Sequence, residues 1–292
     1  MSDVLIVGAK GQLGKALKRL DTGKRETVYA GIEEVDLTDP EATAGFIEEQ
    51  SPAWIINCAA YTAVDKAESE QDLAFAINRD AVANIADAAG DARVIHISTD
   101  FVFSGDAKRP YGPEDEPEPI NVYGESKLAG EQVLRQTLPD SSMIIRTAWL
   151  YALDGNNFVK TMLRLMQERE ALTIVNDQRG TPTYALGLAK VIWRIVQTGR
   201  FEPGIFHWAD EGITSWHGFA CAIQDGAFNH GLLEGRISLV GLPTSRYPQA
   251  AKRPEFSSLD STKLQKLTGI KGTPWHVHLL EMLATLRAEQ RQ

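Results

Sequence analysis

Tyr123 and Lys127, four residues apart in Ile120-Asn-Val-Tyr-Gly-Glu-Ser-Lys127, share one face of any helix built on this stretch. A buried ammonium beside a phenol favours the phenolate, lowers the phenol's pKa and makes it a better proton donor. Such a donor suits a carbonyl that is receiving a hydride. The spacing by itself is common, because a surface tyrosine and a solvated lysine produce it by chance. Its meaning therefore depends on whether the rest of the chain builds a cofactor site around it.

The elements before the pair do so. Val4-Leu-Ile-Val7 is a short apolar run of the kind that forms a buried parallel strand, and it ends in Gly8-Ala-Lys-Gly11-Gln-Leu-Gly14 ahead of a helical pattern. Strand, glycine turn and helix in that order form a pyrophosphate cradle, although the spacing is G-x-x-G-x-x-G rather than G-x-G-x-x-G. Gly8 and Gly11 allow a tight turn and a close approach of phosphate, and Gly14 lets the helix pack on the strand. A second strand is expected over Thr27–Ala30. Where an acid would select the free ribose hydroxyl of NAD, the chain has Gly31, with Glu33 and Glu34 just beyond. Lys10 in the glycine loop suits a 2′-phosphate, so the choice between NADH and NADPH stays open.

Trp54-Ile-Ile-Asn-Cys58 and Arg93-Val-Ile-His-Ile97 read as further strands. The first leads into the small residues Ala59 and Ala60, which suit a flat ligand against the backbone; the second leads into Ser98-Thr-Asp100, which aims hydroxyls into the crevice where such sheets bind ligands. Asp39 with Pro40 caps a helix, Glu70 to Gly90 reads as one long amphipathic helix, and Gly105 to Pro119 as a surface excursion. With Met143-Ile-Ile-Arg146 the alternation predicts an α/β fold, a Rossmann-type doubly wound parallel sheet. After Trp149 the alternation loosens. Residues 1–150 are expected to form the dinucleotide-binding domain and 151–292 a smaller C-terminal α/β substrate domain, with some segments returning to the first. Ser215 and Asp260 are expected to cap helices there, and Trp275 to Gln290 to form the last one.

Composition narrows the partners. A net charge of −9 argues against a general nucleic-acid or anionic-membrane binder, while leaving room for an anionic small molecule in a local basic pocket. Cys58 and Cys221 are too few for a disulfide framework, and the six histidines show no metal-ligand spacing. No apolar stretch reaches membrane-spanning length, and the first residues lack the pattern of a signal peptide, so a cytoplasmic protein is expected.

With these residues in view, the chain resembles the extended short-chain dehydrogenase/reductases and, more narrowly, the family of dTDP-4-dehydrorhamnose reductases. The narrower likeness runs through Gly11-Gln-Leu-Gly14, Asn57-Cys-Ala-Ala-Tyr-Thr-Ala-Val-Asp-Lys-Ala-Glu68 and Ser98-Thr-Asp-Phe-Val-Phe103. It continues in Asn121 to Glu131, Arg146-Thr-Ala-Trp149, Gly155-Asn-Asn-Phe158, Asn176 to Thr183 and Arg253-Pro254. The resemblance implies NAD(P)H-dependent reduction of the C4 keto group of dTDP-4-dehydro-6-deoxy-L-mannose to dTDP-L-rhamnose. It implies Tyr123 as proton donor, Lys127 on the nicotinamide ribose and depressing the Tyr pKa, and Thr99 on the substrate carbonyl. Asp100 and Trp149 would meet the sugar and Arg253 the diphosphate. Gly11, Gln12 and Leu13 would line the pyrophosphate, Asp36 and Leu37 the adenine, and Ala60, Tyr61 and Thr62 the central cofactor.

Sugar-nucleotide dehydratases of the superfamily carry an acid directly after Thr-Asp; Phe101 stands there, which favours simple reduction. Two alternatives keep most of these residues: a reductase of another 4-keto-6-deoxy sugar nucleotide, and a non-catalytic relative that regulates methionine adenosyltransferase. Some reductases of the family bridge two subunits through a divalent cation held by surface glutamates. Lys15 replaces the first-helix glutamate, and the helix after Pro182-Thr183 begins without an acid. No metal and a monomer or weak homodimer are therefore expected. Size-exclusion chromatography should give the same elution with and without EDTA; a dimer that dissociates in chelator would overturn this.

Overall fold

The computed structural model describes residues 2–290. The first half alternates as expected: β1 (Val4–Val7), α1 (Gln12–Leu20), β2 (Thr27–Ala30), α2 (Pro40–Gln50) and β3 (Trp54–Asn57). Short helices α3 (Val64–Ala67) and α4 (Gln71–Phe75) precede α5 (Ala81–Ala88), β4 (Arg93–Thr99), α6 (Val122–Thr137) and β5 (Ser142–Thr147). Asp39 caps α2 by accepting from the Glu41 and Ala42 amides.

Six parallel strands form the main sheet in the order β10-β5-β4-β3-β1-β2, in which β10 (Gly204–Trp208) comes from the second half of the chain. Alternate residues of each strand serve opposite layers. Val4, Ile6, Ile56, Ile95 and Ile145 pack against α1 and α8 (Ala185–Thr198), while Leu5, Val7, Ile55, Val94 and Ile144 pack against α2, α5 and α6. Both faces being covered explains why these strands read as unbroken apolar runs. The strand order reverses between β1 and β3, the switch point beside which such sheets bind ligands.

The remaining elements gather around a second core. They are β6 (Leu150–Tyr151), α7 (Phe158–Glu168), β7 (Ala171–Val175), β8 (Arg179–Gly180) and β9 (Thr183–Tyr184), then β11 (Thr214–Ser215), α9 (Trp216–Asn229), β12 (Ser238–Leu242) and α11 (Trp275–Glu289), whereas α10 (Thr262–Thr268) packs Leu264 into the first core beside α8. Tyr151, Tyr184, Phe219, Leu279 and Met282 are buried together in this core. Ser215 caps α9. The N-cap position of α10 falls at Ser261 rather than at the expected Asp260, which accepts the Thr262 amide from one position before it.

One further local expectation changes. The helix expected over Glu70–Gly90 is interrupted by a π-helical turn at Ala76–Asp80. Asn78 in that turn is fully buried, donates to the Tyr61 carbonyl (3.1 Å) and Ser126 Oγ (2.9 Å), and accepts from the Tyr61 amide (2.9 Å). The wider turn thus lets one side chain tie α6 to the segment after β3. The stretch Gly105–Pro119 runs over the surface as expected and is pinned at one point. Tyr111 in it is buried, stacks on Phe103 at 4.1 Å and takes the Gly105 and Ala107 amides on its hydroxyl.

Gly130 of α6 faces the π turn so closely that a Cβ there would lie 2.1 Å from the Asn78 carbonyl oxygen. Gly130→Ala should lower stability by about 1–3 kcal/mol, the usual range for overpacking, measured as a fall in the urea midpoint. A midpoint equal to wild type would show that the turn yields without cost.

Candidate active site

The cofactor turn is shaped by contact. Gly8 has φ +72°, and a Cβ on it would lie 2.4 Å from the Ala59 amide nitrogen, so any larger residue would push β1 and β3 apart. The N-terminus of α1 opens at Gln12, directly after the turn, with amide donors free for an anion. A cavity of about 350 Å³ beside the turn is lined by Gly8, Gly11, Ala30, Gly31, Asp36, Leu37, Ala59 and Ala60. It has the mainly apolar walls that suit a flat base. The Asp36 carboxylate turns back onto the Thr38 hydroxyl and amide, which hold it below its ordinary pKa.

A larger cavity of about 650 Å³ adjoins it through Lys10, Gly11, Cys58 and Ala60. It brings together Gln12, Leu13, Thr62, Thr99, Asp100, Tyr123, Lys127, Trp149 and Arg253. Two expected residues stay outside both cavities. Tyr61 turns its hydroxyl to Glu70 (2.6 Å), leaving its ring in the apolar cluster with Ala67 and Tyr123. Gly14 serves packing, since a Cβ on it would meet the Ala9 backbone at 2.5 Å. The walls also include Thr147, Asn156, Asn157 and Trp216 and, in the smaller cavity, Ile32 and Ile77. Asn157 was legible as part of Gly155-Asn-Asn-Phe158, and its amide donates to Gln12 Oε1 at 3.1 Å. Trp216 carried no sequence signal. A hollow of about 750 Å³ lined by Trp54 and Arg93 lies at the other end of the strands, away from the Gly8–Gly14 turn and the start of α1.

The start of α6 is fastened before it presents Tyr123. Asn121 caps it through the Gly124 amide (2.8 Å), and Glu68 of the preceding loop takes the Val122 amide (3.0 Å). A Cβ at Gly124 would lie 2.2 Å from the Phe101 carbonyl, so the helix rests directly on the backbone after β4. Phe101 meets the Tyr123 ring edge-on at 5.5 Å. Thr99 ends β4, accepts from the Phe101 amide (3.2 Å) and donates to Asp100 (3.1 Å).

Lys127 sits one turn on with 1% of its surface exposed. Its Nζ donates to the Ile97 carbonyl at 2.7 Å and lies 3.4 Å from His96 Nε2. Burial pushes its pKa down to about 8, against the upward pull of Glu131 and Cys58. Burial likewise pushes Tyr123 up to about 12; the Thr99 hydroxyl opposes this and Asp100 adds to it. The expected lowering of the Tyr123 pKa by Lys127 is thus not what the structure shows. Desolvation dominates, and the lowering contact is Thr99. Asp100 is pushed up to about 7 by burial, opposed by Ser257 and Thr99, and its Oδ2 has no hydrogen-bond partner.

On the far wall Trp149 adopts φ +45°, stacks on Trp216 at 3.6 Å and lies over Gly180, where a Cβ would meet the indole at 2.7 Å. Arg253 reaches the cavity, but its guanidinium is held by both oxygens of Asp65 (2.6 and 2.9 Å). Lys10 pairs with Glu33 at 2.5 Å on an exposed rim. Glu34 takes the Gly31 amide at 2.6 Å, so a carboxylate returns to the end of β2 from three residues away. Among the described residues, no three His, Cys, Asp or Glu side chains gather as a metal site, and no helix is long and apolar enough to cross a membrane.

A parallel sheet with a glycine turn at its switch point and a buried Tyr–Lys pair on the adjoining helix defines a Rossmann-type oxidoreductase that uses a nicotinamide dinucleotide. Within that class the chain belongs to the family described as RmlD substrate binding domain, whose profile matches residues 1–288. It is 41% identical over 283 residues to a dTDP-4-dehydrorhamnose reductase of Aggregatibacter actinomycetemcomitans, covering 94% of this chain and 96% of the relative. The fold is similar to that of a dTDP-4-dehydrorhamnose reductase from Clostridium acetobutylicum, with a TM-score of 0.88, 38% identity and 99% of each chain covered. It is equally similar to the enzyme from Bacillus anthracis solved in complex with NADP, with a TM-score of 0.88, 37% identity, and 99% of this chain and 100% of that one covered.

The buried charge of Lys127 has a stability consequence. Its pKa falls from 10.5 in the unfolded chain to about 8 on folding, so between those values the unfolded state binds a proton that the folded state lacks. That group's contribution to stability therefore rises as pH climbs through this window. Lys127→Met should be more stable than wild type at neutral pH, and the gap should shrink as urea titrations are repeated towards pH about 10.5. A gap independent of pH would show that the ammonium is not what strains the site.

Proposed function

We propose that the protein reduces the C4 keto group of dTDP-4-dehydro-6-deoxy-L-mannose to give dTDP-L-rhamnose, with Tyr123 as the proton donor. The observation that carries this reading is the meeting of Thr99, Tyr123 and Lys127 in one cleft that runs into the glycine-turn cavity. The cradle suits a dinucleotide because it closes only when position 8 lacks a Cβ. Gln12 and Leu13 would hold its pyrophosphate, Asp36 and Leu37 its adenine end, and Lys127 the ribose next to the reacting ring. When bound, the reduced nicotinamide supplies the hydride.

The chain's own groups do the rest. Hydride addition builds negative charge on the C4 oxygen, and Thr99 and Tyr123 would place hydroxyls where that charge develops. A Tyr123 pKa near 12 keeps the phenol protonated at neutral pH, ready to give its proton to the alkoxide. Asp100, balanced near neutrality, can offer a proton or a lone pair to a sugar hydroxyl. Phe101 packs on Tyr123 where a dehydratase would carry an acid. Trp149 gives the sugar an apolar wall, and Arg253 would exchange Asp65 for the substrate diphosphate, a bidentate swap that suits a guanidinium. Either NADH or NADPH fits this reading, since Lys10 and Glu33 stand together at the ribose end.

Oxidation of NADPH and NADH should be followed spectrophotometrically with dTDP-4-keto-L-rhamnose made in situ; folded protein that turns over neither cofactor would overturn the assignment. Tyr123→Phe should retain cofactor binding and lose at least ~100-fold in rate, the lower range for losing general-acid catalysis. A rate near wild type would remove Tyr123 from that role.

A further inference from the structure

Behind Lys127 lies a buried histidine. His96 in β4 is fully buried and lines neither cavity. Its Nδ1 lies 3.1 Å from Asn57 Nδ2, and its Nε2 lies 3.4 Å from Lys127 Nζ. The Asn57 amide has only one workable orientation, because its Oδ1 accepts the Ala59 amide at 3.0 Å. Asn57 Nδ2 therefore donates to His96 Nδ1, which must be a bare acceptor. Burial and the adjacent Lys127 hold the ring neutral, well below its ordinary pKa, so its one proton sits on Nε2.

That N–H points at the lysine. An ammonium has only donors to offer, so the charged form of Lys127 sets donor against donor at this contact. A neutral amine accepts the same N–H on its lone pair. The Ile97 carbonyl accepts from either form, more strongly from the ammonium, and so works in favour of the charge. The other titratable groups around Nζ are Cys58 after β3 and Tyr123 and Glu131 on its own helix; Glu131 is neutralised by Arg146 of β5 at 2.6 Å. Among these groups, the His96 contact is the one whose hydrogen-bond polarity opposes the ammonium.

We propose that His96 is a positioning residue which Asn57 locks in the Nε2–H tautomer, and that this pair sets the pH at which Lys127 loses its charge. It therefore sets the upper pH limit of cofactor retention and of reduction. This rests on Lys127 holding the cofactor, whereas the tautomer is read in cofactor-free protein without turnover, so the two readings fail separately.

In ¹⁵N-histidine-labelled protein, the resonance absent from His96→Gln should show a protonated Nε2 and a bare Nδ1; a proton on Nδ1 would overturn the proposal. NADPH binding followed by fluorescence should weaken as pH rises through about 8, where Lys127 titrates. Asn57→Asp keeps an acceptor for the Ala59 amide but puts an acceptor opposite Nδ1, shifting the ring proton to Nδ1 so that Nε2 presents a lone pair to Lys127. The binding midpoint should then rise by about one pH unit, a tenfold change in lysine ionisation. An unmoved midpoint would overturn the proposal, as would the same rise in Asn57→Asp/His96→Leu, since added charge alone would then explain it. Should Asn57→Asp not fold, His96→Gln offers an amide oxygen to Lys127 and should move the midpoint upward too; a midpoint that stays put in that variant would equally overturn the proposal.

Discussion

A lysine with 1% of its surface exposed must find its partners inside the fold, and the arrangement of β3, β4 and α6 answers that need. An unpaired charge in a dry interior costs several kcal/mol, so an ammonium survives there only beside oriented acceptors or with a lowered pKa. Lys127 shows both: the Ile97 carbonyl at 2.7 Å and a pKa pushed down to about 8. Behind it, the Asn57–His96 chain joins two neighbouring strands through buried hydrogen bonds whose direction is set by one backbone amide. Beneath it, Arg146 and Ser98 both bind Glu131, so the carboxylate one turn further along α6 is already satisfied.

The same constraint explains how tightly α6 is seated. Its N-terminus rests on the backbone after β4 through Gly124, and its middle rests on the π turn through Gly130. Asn78 reaches from that turn to the segment carrying Ala60 and Thr62, so the helix bearing Tyr123 and the wall of the cofactor cavity are tied by one side chain. A π turn in a helix that otherwise reads as regular is a common sign of such a demand.

The wall of the larger cavity around Trp149 is built with more strain and more exchangeable contacts. Trp149 holds a left-handed backbone conformation that costs a bulky residue on the order of 1–3 kcal/mol, and it is kept there by Trp216 and by the missing side chain of Gly180. Arg253 is paired with Asp65 in the larger cavity, and Lys10 with Glu33 where the two cavities meet. Charges held by exposed or half-buried partners can be handed to an incoming phosphate at little cost, whereas the Arg146–Glu131 pair, with 1% exposed side chains, cannot.

Much of this was legible in the chain itself. Apolar runs of four or five residues gave the strands, because strands covered on both faces leave no polar alternation. The glycine spacing gave the turn, because only glycine permits that approach. The order of short motifs around Tyr123 and Lys127 gave the family, and Asp39 and Ser215 announced their helices as caps do. Local sequence could not show that Tyr61 turns away to Glu70, that Trp216 comes to face Trp149, or that residues 204–208 complete the sheet beside β5. Nor could it show the sign of the Tyr123 shift. A four-residue spacing brings a phenol and an ammonium to one face, but their pKa values depend on how much water the other elements remove. Residue types and spacing named the groups that meet in the cleft; desolvation and hydrogen-bond direction, which are properties of the packed whole, shift their pKa values.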